Sequence, residues 1–195
     1  MQVMELAVLV AAVMPTSHTV HHRDARVVSP DGRTAALIQR VAHSSDTDDD
    51  STEVILADIT TGGRKIVLRA GQVSAPNGFK FNAAERLTFS PDGKRLYVEA
   101  DCPCDSGQVY VVDVPTGRAR FFGWGVEISV LRNGPWRGNL LMGVHTCYAD
   151  HPGCDYPVHV IQPDGKSIFT VPSTYGSDTQ QALARWLRRR GWRAS

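Results

Sequence analysis

Residues 146–157 read TCYADHPGCDYP, which puts Cys147 and Cys154 seven positions apart around Asp150 and His151, with His145 just upstream. Three chemistries fit those residue types. His145, Cys147, His151 and Cys154 are nitrogen and sulfur donors of the kind that hold tetrahedral zinc, although the usual CxxC or HxxxH pairing is absent. A second pair, Cys102-Pro103-Cys104, brings the total to four cysteines, an even number that admits three disulfide connectivities. The favoured reading is two local disulfides, since a hairpin base brings two Cα atoms to the roughly 5.5 Å that a bridge needs. A bridge across one residue, between Cys102 and Cys104, demands a tight turn and is the more reducible of the two, which is what thiol–disulfide exchange would use. Pairing between the two loops stays open as a third connectivity.

The stretch AHSSDTDDDSTE gathers Asp46, Asp48, Asp49, Asp50 and Glu53. Calcium favours such oxygen-rich runs, but EF-hand spacing fails: counting from Asp46, Ser51 stands where glycine is needed and Ala57 where glutamate is needed. A solvated loop is the simpler reading. No GxSxG elbow, Walker loop, GxGxxG turn or HExxH helix occurs, so neither a catalytic residue nor a cofactor is expected. Twenty-one basic against twenty acidic residues give a formal net charge of +1, which supplies no global field for nucleic acid. At the amino terminus, Leu6 to Met14 is apolar over the length of a signal-peptide core and too short to span a bilayer. Residues 1–19 are therefore expected to be an export signal, with Ser17-His18-Thr19 at the cleavage point, or else an apolar first strand or short helix packed on the core, and no transmembrane segment is expected. No basic residue precedes the run, however, and Glu5 sits at its edge.

The elements that must carry these loops announce themselves by repetition. RVVSPDGRTAALIQ at 26–39 and LTFSPDGKRLYVEA at 87–100 are each a strand-like run, a Ser-Pro-Asp-Gly turn and a second strand-like run. Proline presets the first corner, aspartate bonds its own backbone, and glycine takes a positive φ. Downstream, each copy continues into a strand, a Thr-Gly turn and another strand: STEVILADITTGGRKIVLRA, then GQVYVVDVPTGRARFFG. A divergent third copy follows over residues 126–173, with Asn133 to Gly138 as its first turn and Gln162-Pro163-Asp164-Gly165 as its second.

The duplicated SPDG(R/K) hairpin with VYVVDVPTG resembles the TolB-type and WD-like propeller repeat, in which each unit is one four-stranded blade. The resemblance implies an all-β fold of about three antiparallel blades, near 25–70, 85–122 and 126–172, within a domain covering 20–172. Closed propellers have about four to eight blades, so three leave sheet edges to be hidden. Self-association through those edges is one solution. The other is the segment GSDTQQALARWLRRRGWRAS, within 173–195, read as a basic helix with Ser177 and Gln180 as a capping box and Gly191 as its C-cap.

The same resemblance places all the tight turns on one face and the long loops on the other. Binding residues gather on loops carried by a rigid scaffold, so the candidate binding face comprises Asp46, Asp48, Asp49, Asp50, Asn77, Asp105, Tyr148, Asp150 and Tyr156. The expected function is a non-catalytic binding or scaffold module, periplasmic or secreted, that recognises another protein through this face. The rivals are a zinc-binding protein and a thiol oxidoreductase.

Overall fold

The computed structural model describes residues 26–41, 51–102, 106–147, 154–172 and 179–195. Three four-stranded antiparallel sheets account for most of them. The first contains β1 (Arg26–Val28), β2 (Thr34–Val41), β3 (Ser51–Asp58) and β4 (Arg64–Arg69); the second contains β5 (Ala84–Phe89), β6 (Arg95–Ala100), β7 (Gln108–Asp113) and β8 (Arg118–Trp124). The third pairs β9 (Val126–Val130), β10 (Leu140–Gly143), β13 (Val158–Ile161) and β14 (Ser167–Thr170), with a two-stranded ribbon, β11 (Thr146–Cys147) and β12 (Cys154–Asp155), inserted between its middle strands. Among the described residues a single helix, α1 (Thr179–Arg190), follows. Each sheet is a simple meander, and the first strand of each packs against the first strand of the next, β1 on β5 and β5 on β9. The chain is thus three propeller-type blades with a short carboxy-terminal helix.

The repeated turns build the same hydrogen-bond network twice. Ser29 Oγ donates to Asp31 at 2.6 Å and accepts from the Thr34 amide at 2.9 Å, while Asp31 accepts from the Arg33 amide at 3.1 Å. Ser90, Asp92, Lys94 and Arg95 repeat this at 2.6, 3.0 and 3.0 Å. Gly32 and Gly93 have φ of 74° and 70°, a region open to glycine and costly for residues with a Cβ. The motif is therefore a self-contained device: serine ties the two strands while aspartate satisfies the amide that follows the glycine. The second turns use Asp58 and Asp113, whose carboxylates accept from the amides of Thr60, Thr61 and Thr116.

Alternating side chains give each sheet two apolar faces, and three clusters stack accordingly. Ala36, Val54, Leu56 and Leu68 of the first blade meet Leu87, Phe89, Leu96, Val98 and Tyr110 of the second. Tyr97, Val109 and Val111 on the second blade's opposite face meet Ile128, Val130, Leu140 and Met142 of the third. The third blade's far face, with Leu141, Val158 and Val160, is covered by Leu183 and Trp186 of α1. Trp136, Phe169, Trp186 and Trp192 form an aromatic cluster there, with ring centroids 5.1–6.1 Å apart.

Buried polar groups fix how the blades meet. Glu99, on β6 and only 5% exposed, accepts from the amides of Glu127 at 2.9 Å and Ile128 at 3.0 Å and lies 3.7 Å from the Arg86 guanidinium. Those amides open β9, so one carboxylate aligns the third blade's inner strand on the second blade. Thr52 does a related job one blade earlier, its Oγ1 accepting from the Ala84 amide at 2.7 Å. Gly125, in the link between β8 and β9, has no room for a side chain: a Cβ would lie 2.6 Å from Met142 Sδ and 2.8 Å from the Gly143 carbonyl.

The helix ends as its sequence predicts. Gly191 adopts φ 64°, its amide bonds the Arg188 carbonyl, and the Trp192 amide bonds Leu187, a Schellman arrangement. Ser177 lies outside the described residues, and the Gln180 amide group donates to Glu127 Oε2 across to the third blade. Beyond the helix the chain returns to the inner edge of β9, where Ala194 bridges Leu131 and Ser195 exchanges both backbone bonds with Val130.

Two measurements check this account. Glu99→Ala strands the buried Ile128 amide and the part-buried Glu127 amide and is expected to destabilise the domain by about 1–3 kcal/mol, with Glu99→Gln losing less because one acceptor oxygen remains; equal urea midpoints for all three proteins would contradict it. In the second, the Ser29 hydroxyl and the Arg33 amide hold Asp31 below the usual carboxylate range, and at Asp92 the Ser90 hydroxyl and Lys94 amide outweigh a burial effect of opposite sign. Amides of Thr61 and Thr60 depress Asp58, and the Thr116 hydroxyl depresses Asp113. A depressed folded-state value means stability that is present above the unfolded value of about 3.9 and is lost as pH falls through the folded one. Urea midpoints are thus expected to fall steeply below about pH 4, and less steeply in Asp31→Asn/Asp92→Asn.

Candidate functional site

The antiparallel meander sends alternate connections to opposite ends of each sheet. One end carries the tight turns at Ser29–Gly32, Ser90–Gly93 and Gln162–Gly165. The other carries the connections β2–β3, β4–β5, β6–β7, β8–β9 and the insertion between β10 and β13. Of the sequence-derived binding residues, Asn77 and Tyr156 are placed at this second end. Asp46, Asp48, Asp49, Asp50, Asp105, Tyr148 and Asp150 lie outside the described residues, as do Cys104 and His151.

The insertion in the third blade is the most elaborate of these connections. Thr146 pairs with Asp155 and Cys147 with Cys154 across the β11–β12 ribbon, and the two cysteines are joined as a disulfide with Cα atoms 4.1 Å apart. Both are exposed. Cys102 is also held in a disulfide, its other half lying outside the described residues, and it is itself buried at 9% exposure. Because Cys147 is bonded to Cys154, neither of them ties this loop covalently to the neighbouring one.

His145 supplies that tie without a covalent bond. Its Nδ1 lies 3.3 Å from the Ser106 hydroxyl in the β6–β7 loop, and its Nε2 lies 3.5 Å from Cys147 Sγ. The ring stacks on Tyr156 with centroids 5.1 Å apart and planes 19° apart. A single imidazole therefore links the second blade's loop, the disulfide and the aromatic ring beyond it. Nε2 of His145 and the sulfurs of Cys147 and Cys154 lie within 4.8 Å of one another. Of the four sequence-derived metal ligands, these are the three the structure brings together.

Two contributors escaped the sequence reading. Ser106 has no motif of its own, and only the loop's position makes it a partner for His145. Phe79 stands 42% exposed in the β4–β5 connection, in a small hairpin where Ser74 bridges Lys80 and the Asn77 carboxamide accepts from the Phe79 amide at 3.2 Å. The run PNGFKF carried the signal: the asparagine–glycine pair marks the turn, and Phe81 is buried while Phe79 is not. The tryptophans do not form a ligand platform, since three of the four make the helix-side cluster. On the turn side, recesses of about 360 and 510 Å³ are lined by arginines, Arg95 and Arg137 in one and Arg95, Arg118 and Arg120 in the other.

No family model and no curated protein matches this chain. Among solved structures it is similar to the β-propeller domain of the trilobed protease from Pyrococcus furiosus, an open velcro propeller. That similarity has a TM-score of 0.52 and 13% identity over 77% of this chain and 43% of that one. It is also similar to the acylaminoacyl peptidase of Pyrococcus horikoshii (TM-score 0.49, 15% identity, 74% and 24%) and to TolB from Acinetobacter baumannii (0.39, 18%, 79% and 38%). The chain thus spans less than half the length of these structures. The likeness to the protease domain establishes the propeller fold and says nothing of chemistry.

The exposures order the disulfides by accessibility. With graded dithiol followed by alkylation and peptide mass spectrometry, Cys147 and Cys154 are expected to label well before Cys102; simultaneous labelling would show that local opening, not accessibility, controls reduction.

Proposed function

We propose that this chain is a non-catalytic propeller-type binding module that recognises another protein through its long-loop face. The observation that carries this reading is the fusion of two loops by His145, which bonds Ser106 on one side and rests on the Cys147–Cys154 ribbon on the other. A loop ordered before binding loses less entropy when a partner arrives. Exposed Phe79 and half-buried Tyr156 add aromatic surface of the kind that anchors protein interfaces. The repeated SPDG blade motif favours the TolB-type and WD-like propeller repeats within the wider fold.

The disulfides favour an oxidising compartment, which supports a periplasmic or secreted protein. Residues 1–19, proposed as an export signal, lie outside the described residues. Among the described residues no helix is long and apolar enough to cross a membrane. Self-association is the second use of exposed surface, favoured by the first blade's outward face, where exposed Val28 and half-buried Leu37 and Ile66 stand outside the three apolar clusters.

Site-specific photo-crosslinking separates these uses. A photoreactive residue at position 79 or 156 is expected to give a discrete heteromeric adduct in the native compartment, and one at position 60 or 116, in the tight turns, is not. Adducts from the turn positions alone, or from none, would refute recognition through the loop face. A homomeric adduct from position 28 would assign the first blade's outward face to self-association.

A further inference from the structure

We propose that His145, Cys147 and Cys154 form a redox-gated site for a zinc-type divalent cation, closed while the disulfide stands and opened by its reduction. This inference concerns the metal chemistry of the loop and does not depend on the identity of a protein partner. The His145 ring nitrogen and the two sulfurs lie within 4.8 Å of one another, the sulfurs being held together by their bond. Tetrahedral zinc with bonds of roughly 2.0–2.3 Å sets its ligand atoms about 3.6 Å apart. His145 Nε2 and Cys147 Sγ, at 3.5 Å, already have that separation. The β11–β12 pairing keeps Cys154 directly opposite Cys147, so the second sulfur needs only to swing out of bonding distance when the bridge opens.

The surroundings of His145 have the form of a ligand's support. With its proton on Nδ1, facing the Ser106 hydroxyl at 3.3 Å, the Nε2 lone pair is directed toward the sulfur. Metal-binding imidazoles are characteristically oriented by such an outer hydrogen bond. Stacking on Tyr156 restricts the remaining rotation of the ring. Three protein ligands leave the fourth position to water or another small donor, as in open zinc sites.

The chemistry balances as follows. A dithiol reductant delivers two electrons and two protons to the Cys147–Cys154 bond, giving two thiols and the reductant's own disulfide. The divalent cation then replaces the two thiol protons, so two thiolates and one neutral imidazole surround it with no net charge on the set. In the reverse direction a disulfide oxidant takes two electrons from the thiolates and, with two protons from water, leaves as two thiols, so the sulfurs rejoin and the cation is released.

Cobalt(II) is a suitable probe, because bound thiolates add a charge-transfer band. The test protein is the full chain carrying Cys102→Ser and Cys104→Ser, reduced, freed of reductant and kept anaerobic. It is expected to bind one equivalent of cobalt with a thiolate band that zinc abolishes, whereas the oxidised form shows no such band. Adding Cys147→Ser or Cys154→Ser should remove the band, and His145→Ala should weaken cobalt affinity at least tenfold. No band in the reduced protein, a band that survives Cys154→Ser, or cobalt uptake without thiolate character would each overturn the proposal. Tryptophan fluorescence from the Trp186 cluster reports the fold throughout, and unfolding on reduction would overturn it equally.

Discussion

A blade whose strands alternate apolar side chains to both faces has to be covered twice, and everything else in this molecule follows from that constraint. The first and second blades cover each other through Leu56, Leu68, Leu87 and Phe89, and the second and third through Tyr97, Val111, Ile128 and Leu140. A larger ring would cover the third blade with a fourth. Here Leu183 and Trp186 of α1 take that place, packing against Leu141, Val158 and Val160. The helix's arginines follow from this arrangement: Arg190 lies over the rings of Trp186 and Trp192 at 4.7 and 5.7 Å, and Arg188, Arg189 and Arg190 stand at the negative end of the helix dipole.

Apolar contact is not directional, so it cannot fix where one blade sits along the next. Buried polar groups supply that register. Glu99 gathers the second and third amides of the third blade's inner strand, Thr52 gathers the first amide of the second blade's, and Gly125 lets the connecting backbone pass against Met142. The loop face inherits this precision. Ser106 and His145 belong to neighbouring blades, and their 3.3 Å separation exists only because the two sheets meet in one register.

That inheritance also explains why the two ends of the blades differ. At the turn end, SPDG and Thr-Gly sequences satisfy most of their own backbone within a few residues, with single bonds added from Ile59 to Arg33, Val114 to Lys94 and Lys65 to Thr116. At the loop end, stability is borrowed from contacts between connections: a disulfide across the β11–β12 ribbon, an imidazole between two loops, an asparagine side chain holding the hairpin of Phe79. Surfaces of the second kind can carry recognition or respond to redox state, because their order depends on a few replaceable interactions.

The sequence alone determined the local geometry. Proline, aspartate and glycine dictate each SPDG turn through forces acting within six residues, strand alternation follows from side-chain period, and Gly191 ends the helix because only glycine enters that φ region freely. It also allowed Cys147 and Cys154 to close across a hairpin base, beside pairing between the two loops, and the β11–β12 ribbon chose the first. Only the tertiary structure decided which distant groups meet: Glu99 with residues 127 and 128, Gln180 with Glu127, Trp136 with Trp186, Ser106 with His145. No spacing along the chain encodes these encounters. They arise when two apolar sheet faces are driven out of water together, and the polar groups at their margins must then find partners among whatever that packing has brought near.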